Sequence, residues 1–83
     1  MYNVILEKGA QKKLYKLPAR EREKITEKIK ALAGDPRPPG CKKLMGREGY
    51  RIRVGNYRVI YNIHDNILTI LVIDIGDRKS IYD

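Results

Sequence analysis

The 83 residues allow one small domain, which at this length buries only about 60–65% of its unfolded surface and leaves little room for a deep enclosed pocket. A 42% hydrophobic share built on Ile, Leu, Val, Ala and Tyr, with no Phe or Trp, is too high for a disordered chain and ample for a globular α+β domain. Eighteen Lys and Arg against ten Asp and Glu give a net charge of +8, so polyanions are the expected partners.

Tyr2 to Glu7 reads as a first strand, which Gly9 ends before a helical stretch with Ala10, Leu14 and Leu17 on one face. Pro18 either ends that helix or sits in the opening turn of the next, where its missing N–H costs nothing. A second helix places Ile25, Ile29 and Leu32 at i, i+4 and i+7, and Gly34-Asp35-Pro36 stops it. The loop Asp35-Pro36-Arg37-Pro38-Pro39-Gly40 is a stiff connector rather than a domain boundary, because neither flank is large enough to fold alone. Next come two alternating strands, Tyr50 to Val54 and Tyr57 to Tyr61, joined by a two-residue Gly55-Asn56 turn. A His64-Asp65-Asn66 turn then leads into 67–75, apolar on both faces and so expected to be a central strand. The order β-α-α-β-β-β predicts a single domain, residues 1–83, with a twisted antiparallel sheet and a helical hairpin packed on one face.

The Gly55-Asn56 turn fixes the hairpin register: Val54 faces Tyr57, Ile52 faces Val59 and Tyr50 faces Tyr61, which gives one wholly apolar or aromatic side. The other side sets Arg53 against Arg58, with Arg51 nearby. Opposed side chains have Cβ atoms roughly 5 Å apart and like charges there are unfavourable, so negative charge is expected from outside the hairpin, most simply from phosphate. If 67–75 folds back beside 57–63, position 58 lies level with 72 or 73 and Arg78 reaches the Gly55-Asn56 end, with Tyr82 four residues further on. Fixed cations beside an aromatic ring suit a phosphodiester flanked by a stacked base.

Residues 1–49 hold thirteen bases and six acids, an excess of seven, while 50–83 exceed balance by only one. The helical bases Lys12, Lys16, Lys24 and Lys28 are therefore candidates for a broad grip on RNA phosphates, and a solvated face is the alternative. His64 is six strand residues from Arg58, roughly 20 Å at ~3.3 Å per residue, so the two cannot act on one phosphate and His64 reads as a turn residue. Cys41 is the only cysteine, which excludes an internal disulfide and a cysteine-based zinc cage. No run approaches the ~18 apolar residues of a membrane span and no signal-peptide pattern is evident, so a cytoplasmic location and no membrane partner are expected.

The ordered set of Leu14 and Leu17 before Pro18, Lys43-Leu44-Met45-Gly46, Tyr50-Arg51-Ile52-Arg53, Tyr57-Arg58-Val59-Ile60-Tyr61, Gly76-Asp77-Arg78 and Tyr82 resembles the RelE family of the RelE/ParE toxin superfamily, over nearly the whole chain. The resemblance implies a RelE-like fold and the toxin of a type II toxin–antitoxin system, a ribosome-dependent mRNA endonuclease. Its implied partners are a cognate antitoxin, mRNA and the ribosome, at the decoding A site, with no cofactor and no metal. By similarity, Arg53, Arg58, Arg78 and Tyr82 are catalytic, and Arg51 and Lys43 join the RNA-binding set. Cleavage would use the RNA's own 2′-hydroxyl, with Arg58 and Arg53 stabilising the pentavalent transition state, Arg78 near the leaving oxygen and Tyr82 stacking on a base or moving a proton. Relatives often carry lysine where this chain has Arg51 and Arg53. Arginine does not give up its proton, so the general base is either Tyr82 or is replaced by substrate alignment. A ParE-like gyrase poison and an inert RNA-binding module are the rival readings.

Overall fold

The computed structural model describes residues 1–77. Its elements are β1 (Asn3–Leu6), α1 (Lys8–Tyr15), α2 (Ala19–Ala31), β2 (Lys42–Lys43), β3 (Tyr50–Val54), β4 (Tyr57–His64) and β5 (Thr69–Asp77). The strands form one sheet in the order β1-β5-β4-β3-β2, an α+β architecture as expected. It departs from the expectation in being mixed. β1 runs parallel to β5, with Asn3 opposite Thr69 and Leu6 opposite Val72, because the chain between them returns to the end at which β1 began. Two-residue β2 adds a fifth strand at the opposite edge, too short to carry an alternation pattern.

Helix α1 starts at Lys8, before Gly9, so that glycine belongs to its first turn rather than to a break. Pro18 is the N-cap of α2, in extended conformation at φ −53° and ψ 147°, which settles its two possible roles. The stripe Ile25, Ile29 and Leu32 packs on the sheet side carrying Ile52, Val54, Val59, Tyr61, Ile70, Val72 and Ile75, and all ten residues are buried. Each such aliphatic side chain taken from water is worth about 1.5–3 kcal/mol, and this layer holds the sheet against the helices. The opposite sheet face has only a small apolar cluster, Leu44 with Ile60, among the described residues.

The proline-rich loop is strapped to one end of the sheet. Tyr61 donates its hydroxyl to the Pro36 carbonyl at 2.7 Å and stacks on Tyr50 with ring centroids 6.0 Å apart. The Arg37 guanidinium lies 5.2 Å from the Tyr50 ring centre and reaches Asp65 Oδ2 at 3.1 Å, while the Tyr2 hydroxyl donates to the other Asp65 oxygen. Tyr2 and Arg37 together hold the Asp65 carboxyl below the usual carboxylate range. This polar knot sits at the His64 end of β4, at the far end of the hairpin from the Gly55-Asn56 turn.

Candidate functional site

The hairpin register is as read from the turn: Val54 pairs with Tyr57, Arg53 with Arg58, Ile52 with Val59 and Tyr50 with Tyr61. Gly55 has φ +60° while Asn56 is not left-handed, the pattern of a type II′ turn, whose twist matches that of the flanking strands. Alternation then dictates the rest. With Ile52, Val54 and Val59 committed to the core, Arg51, Arg53 and Arg58 must occupy the helix-free face.

Two like-charged pairs share that face. Arg53 is directly opposite Arg58, and two residues further from the turn along β3 Arg51 is directly opposite Lys42 of β2. Sequence reasoning misses Lys42, although it carries the signature that marks Arg53 and Arg58. What conceals it is the strand holding it, two residues long. Each directly opposed like pair costs the isolated sheet about 0.2–1 kcal/mol, so this face concentrates positive charge at an energetic cost. The three arginines differ in exposure: Arg53 is exposed, Arg58 half-buried and Arg51 only 5% exposed. Each of the three also has an interaction of its own within the chain.

The β4–β5 register corrects the sequence-based expectation. Arg58 lies opposite Gly76, and Tyr57 opposite Asp77, rather than position 58 opposite 72 or 73. Two features cause the shift. The reversal uses a 3-10 turn at Asp65–Ile67 plus Leu68 in left-handed conformation at φ +47°, which makes His64 the last residue of β4. A bulge between Ile60 and Tyr61 then inserts Ile73. The result carries β5 as far as the Gly55-Asn56 end of the sheet. Arg78 and Tyr82, assigned to the cluster by resemblance, lie outside the described residues.

The remaining candidates separate. Lys12, Lys16, Lys24 and Lys28 are all exposed, and Lys28 lines a cavity together with the strand arginines Arg51 and Arg53. That cavity, about 440 Å³, runs past the end of β2 and along the edge of β3. Lys43 lines a different one, about 180 Å³, at the opposite end of the sheet with Arg37, Tyr50, Asn62 and His64. His64 and Arg58 sit at opposite ends of β4, so no single phosphate spans them.

The chain is thus a small α+β domain with a cationic hairpin at one end of its sheet. The profile of the ParE toxin family of type II toxin–antitoxin systems matches residues 4–82, and the chain belongs to that family within the RelE/ParE superfamily. Its structural resemblance is to RelE toxins. It matches the RelE–RelB complex of Pyrococcus horikoshii with a TM-score of 0.84 and 29% identity, over 96% of this chain and 98% of that one. The isolated Escherichia coli RelE toxin matches with a TM-score of 0.81 and 28% identity, over 93% and 84% of the two chains. A RelBE toxin–antitoxin complex of Mycobacterium tuberculosis matches at 0.81 and 30%, over 93% and 98%. Comparison with curated protein sequences finds none that matches. The chain is therefore a type II toxin of the RelE family.

Proposed function

We propose that this toxin is a ribosome-dependent mRNA endonuclease acting in the cytoplasm, where it cuts message in the ribosomal A site. The observation that carries the reading is the placement of Arg53 directly across from Arg58, beside the Gly55-Asn56 turn on the helix-free face. The reaction needs charge stabilisation more than bond-making by the protein. The 2′-oxygen of one nucleotide attacks the adjacent phosphorus, the bond from phosphorus to the 5′-oxygen breaks, and the proton lost by the hydroxyl is matched by one gained at the leaving oxygen. The products are a 2′,3′-cyclic phosphate and a 5′-hydroxyl. Arg58, with Arg53, meets the extra negative charge of the pentavalent transition state; deleting one such fixed donor costs on the order of 10²–10³ in rate. Arg78 and Tyr82, carried over by resemblance, supply leaving-group stabilisation and base stacking.

Nearly buried Arg51 acts through its field, not by gripping the strand from outside. A guanidinium holds its proton too firmly to serve as base, which leaves Tyr82 or in-line alignment of the bent message on the ribosome. Naked RNA is accordingly cut slowly.

A cognate antitoxin completes the system. A groove between α1, α2 and the edge strand β1, lined by Leu6, Leu14 and the 72%-exposed Tyr15 together with Arg22, Glu23, Glu27 and Lys30, offers a partner helix or strand both apolar surface and charged side chains. The related structures from Pyrococcus horikoshii and Mycobacterium tuberculosis are such toxin–antitoxin complexes.

The test is to add the purified protein to a translating extract and map mRNA 5′ ends, with a gyrase supercoiling assay in parallel. Codon-phased cuts that vanish in Arg58→Ala support the nuclease. Intact mRNA with arrested gyrase replaces it by the ParE-like activity, and intact mRNA with active gyrase by a binding module.

A further inference from the structure

Resting on the nuclease reading, we infer that the cavity at the edge of β3 is a second nucleotide subsite, one that holds the single-stranded RNA flanking the cut through Lys28 and Lys42. Its cationic walls come from three separate elements: Lys28 from α2, Lys42 from β2, and Arg51 and Arg53 from β3. Among the described residues no acidic side chain lines it, and its remaining surface is apolar, with Ala31, Ile52 and the Pro38-Pro39 segment. Cations together with flat, stiff proline rings in one cavity suit a nucleotide, phosphate against the ammonium groups and base against the rings.

The position follows from the local fold. Pairing of β2 with β3 covers only Tyr50 and Arg51, so β3 is uncovered by β2 from Ile52 onward. Gly40, at φ +90°, turns the chain into β2, and Pro38 and Pro39 before it line the cavity. About 440 Å³ is left, enough for a nucleotide and too much for a bare anion. Arg53 belongs to both places: it pairs with Arg58 on the helix-free face and lines this cavity. A strand whose scissile phosphate lies on Arg53 and Arg58 therefore has its next cationic surface beside it rather than across the sheet.

Oligoribonucleotides of two to six residues, 2′-O-methylated so that the attacking hydroxyl is blocked, provide the test by fluorescence anisotropy. Affinity of the full chain should rise with length. In Lys28→Ala/Lys42→Ala that gain should fall on the order of tenfold, with dinucleotide binding unchanged and a salt slope shallower by about 0.7 for each lost phosphate contact. Arg20→Ala, on the same helix but off the cavity, should behave as the parent, and Lys28→Arg/Lys42→Arg should restore the gain. Length-independent binding by the parent, or an undiminished gain in the double alanine variant, overturns the inference. So does a double variant that loses a polyglutamate decapeptide while retaining RNA, since the occupant is then a carboxylate chain. The translating extract separates the two readings. Phased cuts with length-independent binding leave the nuclease and remove the subsite; a Lys28- and Lys42-dependent length gain without cuts does the reverse.

Discussion

Arg58 lies opposite Gly76, the only residue of β5 without a side chain, so the central arginine of the cationic face has no Cβ across from it on that strand. Directly opposed Cβ atoms are roughly 5 Å apart, and a branched side chain at position 76 would push the guanidinium aside. Gly76→Val should therefore lower codon-phased cleavage on the order of tenfold or more, because small misplacements of a positioned group are expensive. Circular dichroism and denaturant midpoint should remain close to the parent's. Full activity in that variant would mean that Arg58 does not reach the reaction across β5.

The Tyr61 hydroxyl is fully buried and donates to the Pro36 carbonyl. Tyr61→Phe leaves that oxygen without its donor and should cost about 1–3 kcal/mol in denaturant unfolding. Burial, above all, raises the phenol's pKa well beyond the ordinary tyrosine value. A raised value means stability that is complete below the unfolded pKa of ~10 and lost as pH climbs through the folded one. The parent should thus weaken above pH ~10, while the phenylalanine variant lacks this component of the alkaline loss.

Gly49, at φ +123°, is in a conformation side chains rarely adopt, and a Cβ there would come within 2.8 Å of Asn62 Oδ1 and 3.2 Å of the Tyr61 carbonyl oxygen. Gly49→Ala should lose about 1–3 kcal/mol. Gly9 is the converse case, helical with nothing within 4 Å of an added Cβ, and Gly9→Ala should gain about 0.5 kcal/mol. Chemical denaturation of the two variants side by side checks both signs.

Hydrogen bonding from Tyr2, then Arg37, depresses the Asp65 pKa. A depressed carboxyl contributes stability above its unfolded value of ~3.9 and loses it as pH falls through the folded value. Asp65→Asn should melt below the parent at pH 7, and the two melting temperatures should converge as pH drops below ~4. A gap that persists at pH 2 would assign the effect to packing rather than charge.

The hairpin is legible in the sequence because a two-residue turn admits one register, so the Arg53–Arg58 pairing follows from counting alone. The helix stripes are legible for the same reason of period: Ile25, Ile29 and Leu32 recur at helical spacing and are buried. Long-range register is not. Nothing in His64-Asp65-Asn66 announces that Leu68 will take a left-handed backbone, which usually favours glycine, and a bulge leaves the apolar pattern of β5 intact. Lys42 escapes for lack of strand length. Its place in the site is set by tertiary pairing with Arg51, not by any local preference. The parallel pairing of β1 likewise depends on chain that lies far away in sequence.

The irregularity at Ile73 separates two tasks. Alternation resumes in phase beyond it, so Val72 and Ile75 both point inward even though an additional residue intervenes. Such an insertion bends and overwinds a ribbon locally. Lengthening or removing it would swivel the guanidinium end of the molecule relative to the helices while the interior kept its pattern, so the angle at which this rim meets its target can be adjusted without repacking the interior.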